Sequence, residues 1–131
     1  MEENFEAEKI TSGKAPGVVG PYSQAVKFGN FVFCSGQIGI NPDGGELVGE
    51  EISEQTKQVM KNLEQVLISS GSGLSKVLQT TIYITDMSKY AEVNSVYAEF
   101  FKSEPLPARA TVEVSKLPKN ALVEISCIAY I

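Results

Sequence analysis

The stretch PLPARATVEVSKLPKNALVEISCIAYI, residues 105–131, decides the fold of this chain. It predicts two β-strands, roughly residues 110–114 and 122–131, because apolar and polar residues alternate along both. Glu124 falls on the polar side of the second strand, and Arg109 precedes the first strand, two residues after a proline. We interpret the rest of the chain as a scaffold that brings Arg109 and Glu124 to one pocket.

Upstream of this stretch, the hydrophobic pattern changes between the period of a strand and that of a helix. A Gly-Asn pair between two β-rich runs predicts a tight hairpin. The predicted elements are an optional short strand at 8–11, hairpin strands at 22–28 and 31–35, a helix at 52–70 with Gly71 as its C-terminal cap, a strand at 76–84, and a helix that starts at Asp86 or Ser88 and runs to about 102. The order β-β-α-β-α-β-β predicts an α+β two-layer sandwich, a mixed sheet with both helices on one face.

The second face of this sheet needs a cover of its own. Residues 76–84 are mostly apolar on both sides of the strand, and residues 122–131 are apolar at nearly every position, which is typical of strands buried on both faces. Two helices cover only one face of a sheet. We therefore expect a second copy of the chain to bury the other face.

The composition restricts the chemistry. The chain contains no histidine, which removes the commonest general base, the commonest metal ligand and every Ser-His or Cys-His nucleophile pair. Cys34 and Cys127 lie in apolar runs, which predicts buried, reduced thiols and no zinc site. The net charge of −5 disfavours partners bound through their phosphates, so we expect no nucleic-acid partner.

Length and hydropathy predict a single domain over residues 1–131. The N-terminal sequence MEENFEAEKI is acidic where a signal peptide would be basic. No apolar run approaches the ~18 residues that a membrane-spanning helix requires. We expect a cytoplasmic protein with no membrane partner.

Two charged residues are candidates for a site, and each has an ordinary structural alternative. The guanidinium of Arg109 could bind a carboxylate through two hydrogen bonds, or pair with an exposed acidic side chain on the surface. Glu124 lies between Val123 and Ile125. Its carboxyl could be partly desolvated, with a raised pKa suited to acid–base chemistry, or lie exposed on an edge strand.

Each uncharged candidate residue likewise has a functional interpretation and an ordinary structural one. Tyr22 follows a Gly-Pro turn that could aim its hydroxyl at a ligand, or it is a half-buried aromatic residue. Ser35-Gly36, after a core strand, could offer a hydroxyl and an approachable backbone amide, or only a turn. Asn94, within the second helix, is either an interface hydrogen-bonder or exposed to solvent. The residues alone leave these alternatives open.

Taken together, several short segments resemble one protein family, the Rid (reactive intermediate deaminase, or YjgF) family. The resemblance covers about residues 8–131, and it depends on the order and spacing of the segments. These are GPYSQA at 20–25, SGQ at 35–37, QT at 55–56, MKNL at 60–63, PAR at 107–109, VEV at 112–114, LPK at 117–119, VEI at 123–125 and IA at 128–129.

The resemblance implies a chorismate-mutase-like α+β fold, assembled as a homotrimer with three clefts between subunits. Deaminases of this family hydrolyse 2-imino acids, which pyridoxal-phosphate dehydratases release as enamines, to 2-keto acids and ammonia. The expected substrates are 2-aminoacrylate/2-iminopropanoate and 2-iminobutanoate. No cofactor and no metal are implied.

The family's functional residues fall on named positions of this chain. Its carboxylate-binding arginine falls on Arg109, and its water-activating glutamate on Glu124. The tyrosine and the serine that line its cleft fall on Tyr22 and Ser35, with Gly36 beside them. The resemblance thus implies that the first two residues are catalytic and that all five bind substrate or line its cleft.

Two further positions complete the implied substrate-binding set. The family's interface asparagine falls on Asn94. Many members carry a cysteine two residues after the arginine, and this chain has Thr111 there. The backbone at this position can still line the cleft, but chemistry that depends on a thiol is not expected.

Two alternatives belong to other functional classes. Some relatives have been described as translation inhibitors with ribonuclease activity, which would make this an RNA-acting protein; the acidic charge and the missing histidine argue against it. The same arginine-lined cleft could also serve as a non-catalytic binding module for a small metabolite.

Overall fold

Six strands form one mixed sheet in the computed structural model, which describes residues 5–131. The strands are β1 (Glu8–Ile10), β2 (Ala25–Phe28), β3 (Phe31–Ile38), β4 (Val77–Ile84), β5 (Ala108–Glu113) and β6 (Val123–Tyr130). Their order across the sheet is β1-β2-β3-β6-β4-β5. Neighbours are antiparallel except β4 and β5, which are parallel. The optional first strand of the sequence analysis is present, and the mixed sheet is confirmed.

The first helix, α1 (Ile52–Ser69), forms because apolar residues recur on one of its sides. Val59, Met60 and Leu63 on that side are at most 1% exposed. The helix ends at Ser69, and Gly71 follows the C-terminal cap residue Ser70 with a φ of 85°, in the left-handed region that glycine adopts most easily. The N–H groups of Gly71 and Ser72 donate to carbonyls of the last turn, so the predicted C-terminal cap is confirmed.

The second helix, α2 (Tyr90–Phe100), is shorter than predicted at both ends. A 3₁₀ turn, Met87–Lys89, precedes it, and the Asp86 side chain accepts the N–H of Ser88 there. The helix ends two residues early because the backbone of Phe101 is extended, with φ −124° and ψ 93°. Both helices lie on one face of the sheet, as predicted.

The core lies between the helices and this face. In β6, four alternate residues belong to it: Val123, Ile125, Cys127 and Ala129. Burying an aliphatic side chain of this size stabilises the fold by about 1.5–3 kcal/mol. Cys34 of β3 lies directly opposite Cys127 in the sheet, and both thiols are buried and free. The hydrogen bond with Cys34, followed by burial, raises the pKa of the Cys127 thiol, so it stays protonated.

The opposite face of the sheet carries apolar side chains that stay substantially exposed within residues 5–131, although the Phe28 ring contacts that of Phe5. Phe28, Phe31, Phe33 and Tyr130 are each at least 40% exposed, and at the far edge Val112 is 42% exposed. In β4 the positions that alternate with the buried Thr80, Ile82 and Ile84 are only partly buried, so residues 5–131 leave this face for the second copy that the sequence predicts as its cover. We call this surface the open face. An apolar area of this kind marks an interaction surface.

Candidate active site

A cavity of about 780 Å³ opens where β3 and β6 meet. Four of the predicted site residues line it: Tyr22, Ser35, Gly36 and Glu124. Its remaining walls come from the Gly/Pro-rich loop before β2, the loop after β3 and the turn before β6, and they are largely apolar. Pockets that bind small molecules have this size and this mixture of apolar walls with a few polar groups.

A β-bulge builds the polar side of the cavity. Cys34 pairs with Cys127 and Gln37 pairs with Ile125, so Ser35-Gly36 together oppose the single residue between those two partners. Bulges re-aim side chains and are frequent beside active sites. The Ser35 hydroxyl donates to the Ser23 carbonyl over 2.6 Å, which leaves its oxygen free to accept a bond from a ligand.

Gly36 is the residue that lets Glu124 reach this position. A Cβ atom on Gly36 would lie 2.5 Å from Glu124 Oε2 and 2.7 Å from its Cδ. Any side chain larger than hydrogen would therefore displace the carboxylate. The position of the Glu124 carboxylate therefore depends on the bulge, which places a residue without a side chain beside it.

The Glu124 carboxyl has the electrostatic character of an acid–base group. It is half-buried, and this burial raises its pKa above the ordinary value of a glutamate. No salt bridge forms at this carboxylate within residues 5–131. The partial desolvation inferred from Val123 and Ile125 on either side is thus confirmed.

Gln24 holds the loop that forms the outer wall. Its side chain is 4% exposed. It accepts the N–H of Ser12 over 2.5 Å and donates to the Pro16 carbonyl over 2.8 Å. These bonds fix the loop that contains Tyr22. Sequence analysis did not single out Gln24; a glutamine at the start of an apolar strand, directly after a Gly/Pro-rich loop, was the available signal.

Lys119 closes the far side of the cavity and was also missed as a structural residue. Its φ of 56° is in the left-handed region, which is uncommon for a residue with a side chain. Its Nζ donates to the Gly45 carbonyl over 3.0 Å, which ties the turn before β6 to the loop after β3. The proline before it, which favours a tight turn, was the only local signal.

The other predicted residues form a second cluster between α2 and β5. Arg109 is the only arginine of the chain, a count that makes it distinctive in the sequence. Its Nη2 donates to the Tyr90 hydroxyl over 2.7 Å. Its Cζ lies 5.6 Å from the centre of the Tyr90 ring and 5.0 Å from that of Tyr97. Cation–π contacts at such distances hold the guanidinium against α2.

Asn94 and Thr111 belong to this second cluster and have unused polar atoms. The Asn94 Oδ1 and the Thr111 Oγ1 are buried, and neither has a hydrogen-bond partner within residues 5–131. Buried polar atoms almost always have a hydrogen-bond partner. Two such atoms without one, beside an arginine, therefore indicate a place where a ligand or another chain supplies the missing partner. Hydrogen bonding from Asn94 and the charge of Arg109 lower the pKa of the Tyr90 hydroxyl.

The two clusters lie on opposite faces of the sheet. Arg109 pairs with Thr80, whose hydroxyl contacts the Tyr97 hydroxyl on α2, so Arg109 is on the helix side. Glu124 alternates with the core residues of β6 and lies on the open face. Within residues 5–131 of one chain the two side chains therefore do not line the same cavity, and the pocket that both are expected to reach stays a prediction. The reason is the two-residue alternation of the strands, which assigns each to its own face.

Neither a membrane span nor a metal centre was found in the described structure. Within residues 5–131, no helix is long and apolar enough to cross a bilayer. The same residues contain no group of three or more potential metal ligands.

Comparison with known proteins decides the family. A family profile described as "Endoribonuclease L-PSP" matches residues 12–131. The crystal structure of YyfA from Yersinia pestis, a protein of unknown function of the conserved Rid protein family, superposes with a TM-score of 0.94. It is 48% identical, and the match covers 96% of this chain and 100% of YyfA. The chain belongs to the Rid family. Its α+β two-layer fold is that of the Rid structures.

Two further Rid relatives carry informative names. Reactive Intermediate Deaminase A, chloroplastic, from Arabidopsis thaliana is 46% identical over 126 residues, which are 96% of this chain and 67% of the plant protein. The crystal structure of Escherichia coli TdcF with bound serine is 34% identical, with a TM-score of 0.89. That match covers 95% of this chain and 98% of TdcF.

Proposed function

We propose that this chain is a hydrolytic deaminase that converts 2-imino acids to 2-keto acids and ammonia. Its substrates are the enamine and imine products of pyridoxal-phosphate dehydratases, 2-aminoacrylate/2-iminopropanoate and 2-iminobutanoate. The observation that carries the proposal is the Glu124 carboxyl, half-buried, with a raised pKa, in a cavity of about 780 Å³. The name of the Arabidopsis relative supports the same reaction class.

The complete site forms between two subunits. One chain offers an acid–base carboxylate on the open face, and it offers a carboxylate-binding arginine with unpaired polar neighbours at the β5 edge. The cavity on the open face lacks the carboxylate-binding arginine, and the arginine cluster lacks the acid–base carboxylate. The open face needs a cover, and a homotrimer of the kind implied by the Rid resemblance supplies one while placing the β5 edge of one subunit beside the cavity of the next.

Binding begins with the substrate carboxylate. The Arg109 guanidinium binds it with two hydrogen bonds, which fixes the position of the imine carbon. Serine in the TdcF crystal structure is an α-amino acid, a ligand with the same carboxylate next to a nitrogen-bearing carbon. The Thr111 hydroxyl and the Asn94 carbonyl, which lack partners within the described chain, pair with the substrate or its bound water.

Hydrolysis then needs only a positioned water and one proton carrier. Glu124 takes a proton from water as the water oxygen bonds to the carbon of the protonated imine, and a neutral carbinolamine results. Glu124 returns this proton to the nitrogen, and the C–N bond breaks with ammonia as the leaving group. The Glu124 carboxylate then accepts the proton of the former carbinolamine hydroxyl, which becomes the keto oxygen, and passes that proton to ammonia, which leaves as ammonium. A single positioned general base contributes about 10²–10⁴-fold. Tyr22, Ser35 and Gly36 shape the cavity around the water.

The test is a coupled assay in which a threonine dehydratase releases the imine from serine or threonine, followed with and without this protein. We expect faster imine decay with the wild type and loss of that effect in Arg109→Ala and Glu124→Gln. Glu99→Gln, at an exposed position of α2, is the matched control and stays fully active. An unchanged rate in Arg109→Ala with the fold intact would refute the assignment.

The description of the matched family profile favours one other function, action on RNA. The net charge of −5 and the absence of histidine oppose it. Salt-dependent binding of single-stranded RNA, or cleavage that Glu124→Gln abolishes, would establish it. If Glu124→Gln instead retains both metabolite binding and biological function, the site is a non-catalytic binding module.

A further inference from the structure

Tyr90 is the first residue of α2, and its side chain faces β5 together with Asn94, one helical turn later. Its hydroxyl receives the Nη2–H of Arg109 over 2.7 Å, and its ring lies 5.6 Å from the guanidinium carbon. Tyr97 contacts the same guanidinium at 5.0 Å with its ring alone, because its hydroxyl bonds to Thr80. Tyr90 is thus the one described residue that donates or accepts a hydrogen bond at the Arg109 head group.

A guanidinium can bind a carboxylate along either of two edges, Nε–H with Nη2–H or Nη1–H with Nη2–H. Nη2 carries two N–H bonds, one belonging to each edge. The Tyr90 hydroxyl takes one of them. One edge of the guanidinium that can donate two hydrogen bonds therefore remains for a ligand. The position of α2 fixes the direction in which this edge points.

We propose that Tyr90 is a positioning residue of the imino-acid site, which selects the edge of Arg109 that receives the substrate carboxylate. This role rests on the proposed function, and it adds a residue that neither the sequence analysis nor the family resemblance supplied. The hydroxyl contacts Arg109 and does not contact the reacting atoms. It acts by removing the rotational freedom that a long arginine side chain has on the edge of a sheet.

The ionisation of Tyr90 gives this role a second signature. The groups that face its hydroxyl are Asn94 on α2 and Arg109 and Thr111 on β5, while the neighbouring Lys89 pairs with Glu92. Hydrogen bonding from Asn94, followed by the Arg109 charge, lowers the pKa of the phenol. Once ionised, the phenolate holds the guanidinium more tightly and opposes the approach of a second anion. Carboxylate binding consequently weakens as the pH rises through the pKa of Tyr90.

The test compares wild type, Tyr90→Phe and the control Ser95→Ala, which removes a hydroxyl from an exposed position of α2. We measure KM and kcat in the coupled assay, and the Kd of the stable product 2-oxobutanoate by calorimetry from pH 7 to pH 10. Tyr90→Phe raises KM and Kd about tenfold, which is about 1.4 kcal/mol. Its kcat stays within about twofold of wild type, because Glu124 is unaffected.

The pH series separates positioning from a merely structural role. The 2-oxobutanoate affinity of wild type and of Ser95→Ala falls at alkaline pH, and that of Tyr90→Phe stays flat. An unchanged KM and Kd in Tyr90→Phe, or the same alkaline loss of affinity in it, would overturn the inference. If the wild type does not hydrolyse the imine, the proposed function is wrong. A Kd for 2-oxobutanoate that still depends on Tyr90 would nevertheless support the role of the Tyr90–Arg109 hydrogen bond in carboxylate binding.

Discussion

Gly36→Ala tests the packing of the bulge against the Glu124 carboxylate, the proposed acid–base group. The new Cβ would lie 2.5, 2.7 and 2.9 Å from Oε2, Cδ and Cγ of Glu124. Ordinary contacts between such atoms are about 3.5–4.0 Å, so the carboxylate must retreat by about 1 Å. A misplacement of that size costs about 10²-fold in rate. We predict this loss in kcat/KM.

The stability of the variant changes little. Gly36 is not among the glycines with a left-handed φ, so alanine fits its backbone, and the crowded atoms are at the free end of a flexible side chain. Its unfolding free energy stays within about 1 kcal/mol of wild type, the usual size of a Gly→Ala effect on the unfolded chain. Gly73→Ala, where a Cβ meets nothing within 4 Å, is the control for both measurements.

The assay is imine decay behind the dehydratase, combined with a double-mutant cycle. If alanine acts only by moving the carboxylate, Gly36→Ala costs nothing further in a Glu124→Gln background. Full activity in Gly36→Ala, or losses that add in the double variant, would refute the reasoning.

Three further predictions concern the carboxyl, the core and the open face. Because burial raises the pKa of Glu124, the folded state binds its proton more tightly than the unfolded state does, and stability falls as the pH rises through that range. Glu124→Gln therefore melts above wild type at pH 7, and the difference shrinks towards pH 4; a lower Tm at pH 7 contradicts this. Tyr97→Phe leaves the buried Thr80 hydroxyl without its 2.8 Å partner and lowers the unfolding free energy in urea by about 1–3 kcal/mol. Phe33→Glu places a charge on the open face and yields monomers by light scattering, whereas an assembly of unchanged mass would show that this face is not the interface.

Most of the fold could be predicted because local patterns determine it. The alternation in β6 assigned Val123 and Ile125 to the core and Glu124 to the other face, and the structure agrees. The end of α1 followed from Gly71, which adopts a left-handed φ. The end of α2 did not, since the pattern continues to Phe101 while its backbone is already extended.

The arrangement of the site depends on contacts that are distant in sequence. In β5, Arg109 and Thr111 share one side and Ala110 and Val112 the other, but nothing within the strand indicates which side meets α2. Residues on both sides of this edge strand are at least partly exposed, so a buried side does not mark the one that faces α2. The bulge that seats Glu124 against Gly36 likewise appears only when β3 is paired with β6.

In the proposed assembly, each active site takes Arg109 from one subunit and Glu124 from the next. The direct test is to unfold Arg109→Ala and Glu124→Gln together, refold them as an equal mixture and measure imine hydrolysis. With shared sites and random assembly, half of the neighbours at each site supply Arg109 and half supply Glu124, so about a quarter of wild-type activity returns. A mixture as inactive as its two components would contradict the account, because sites contained within one chain cannot be repaired in this way.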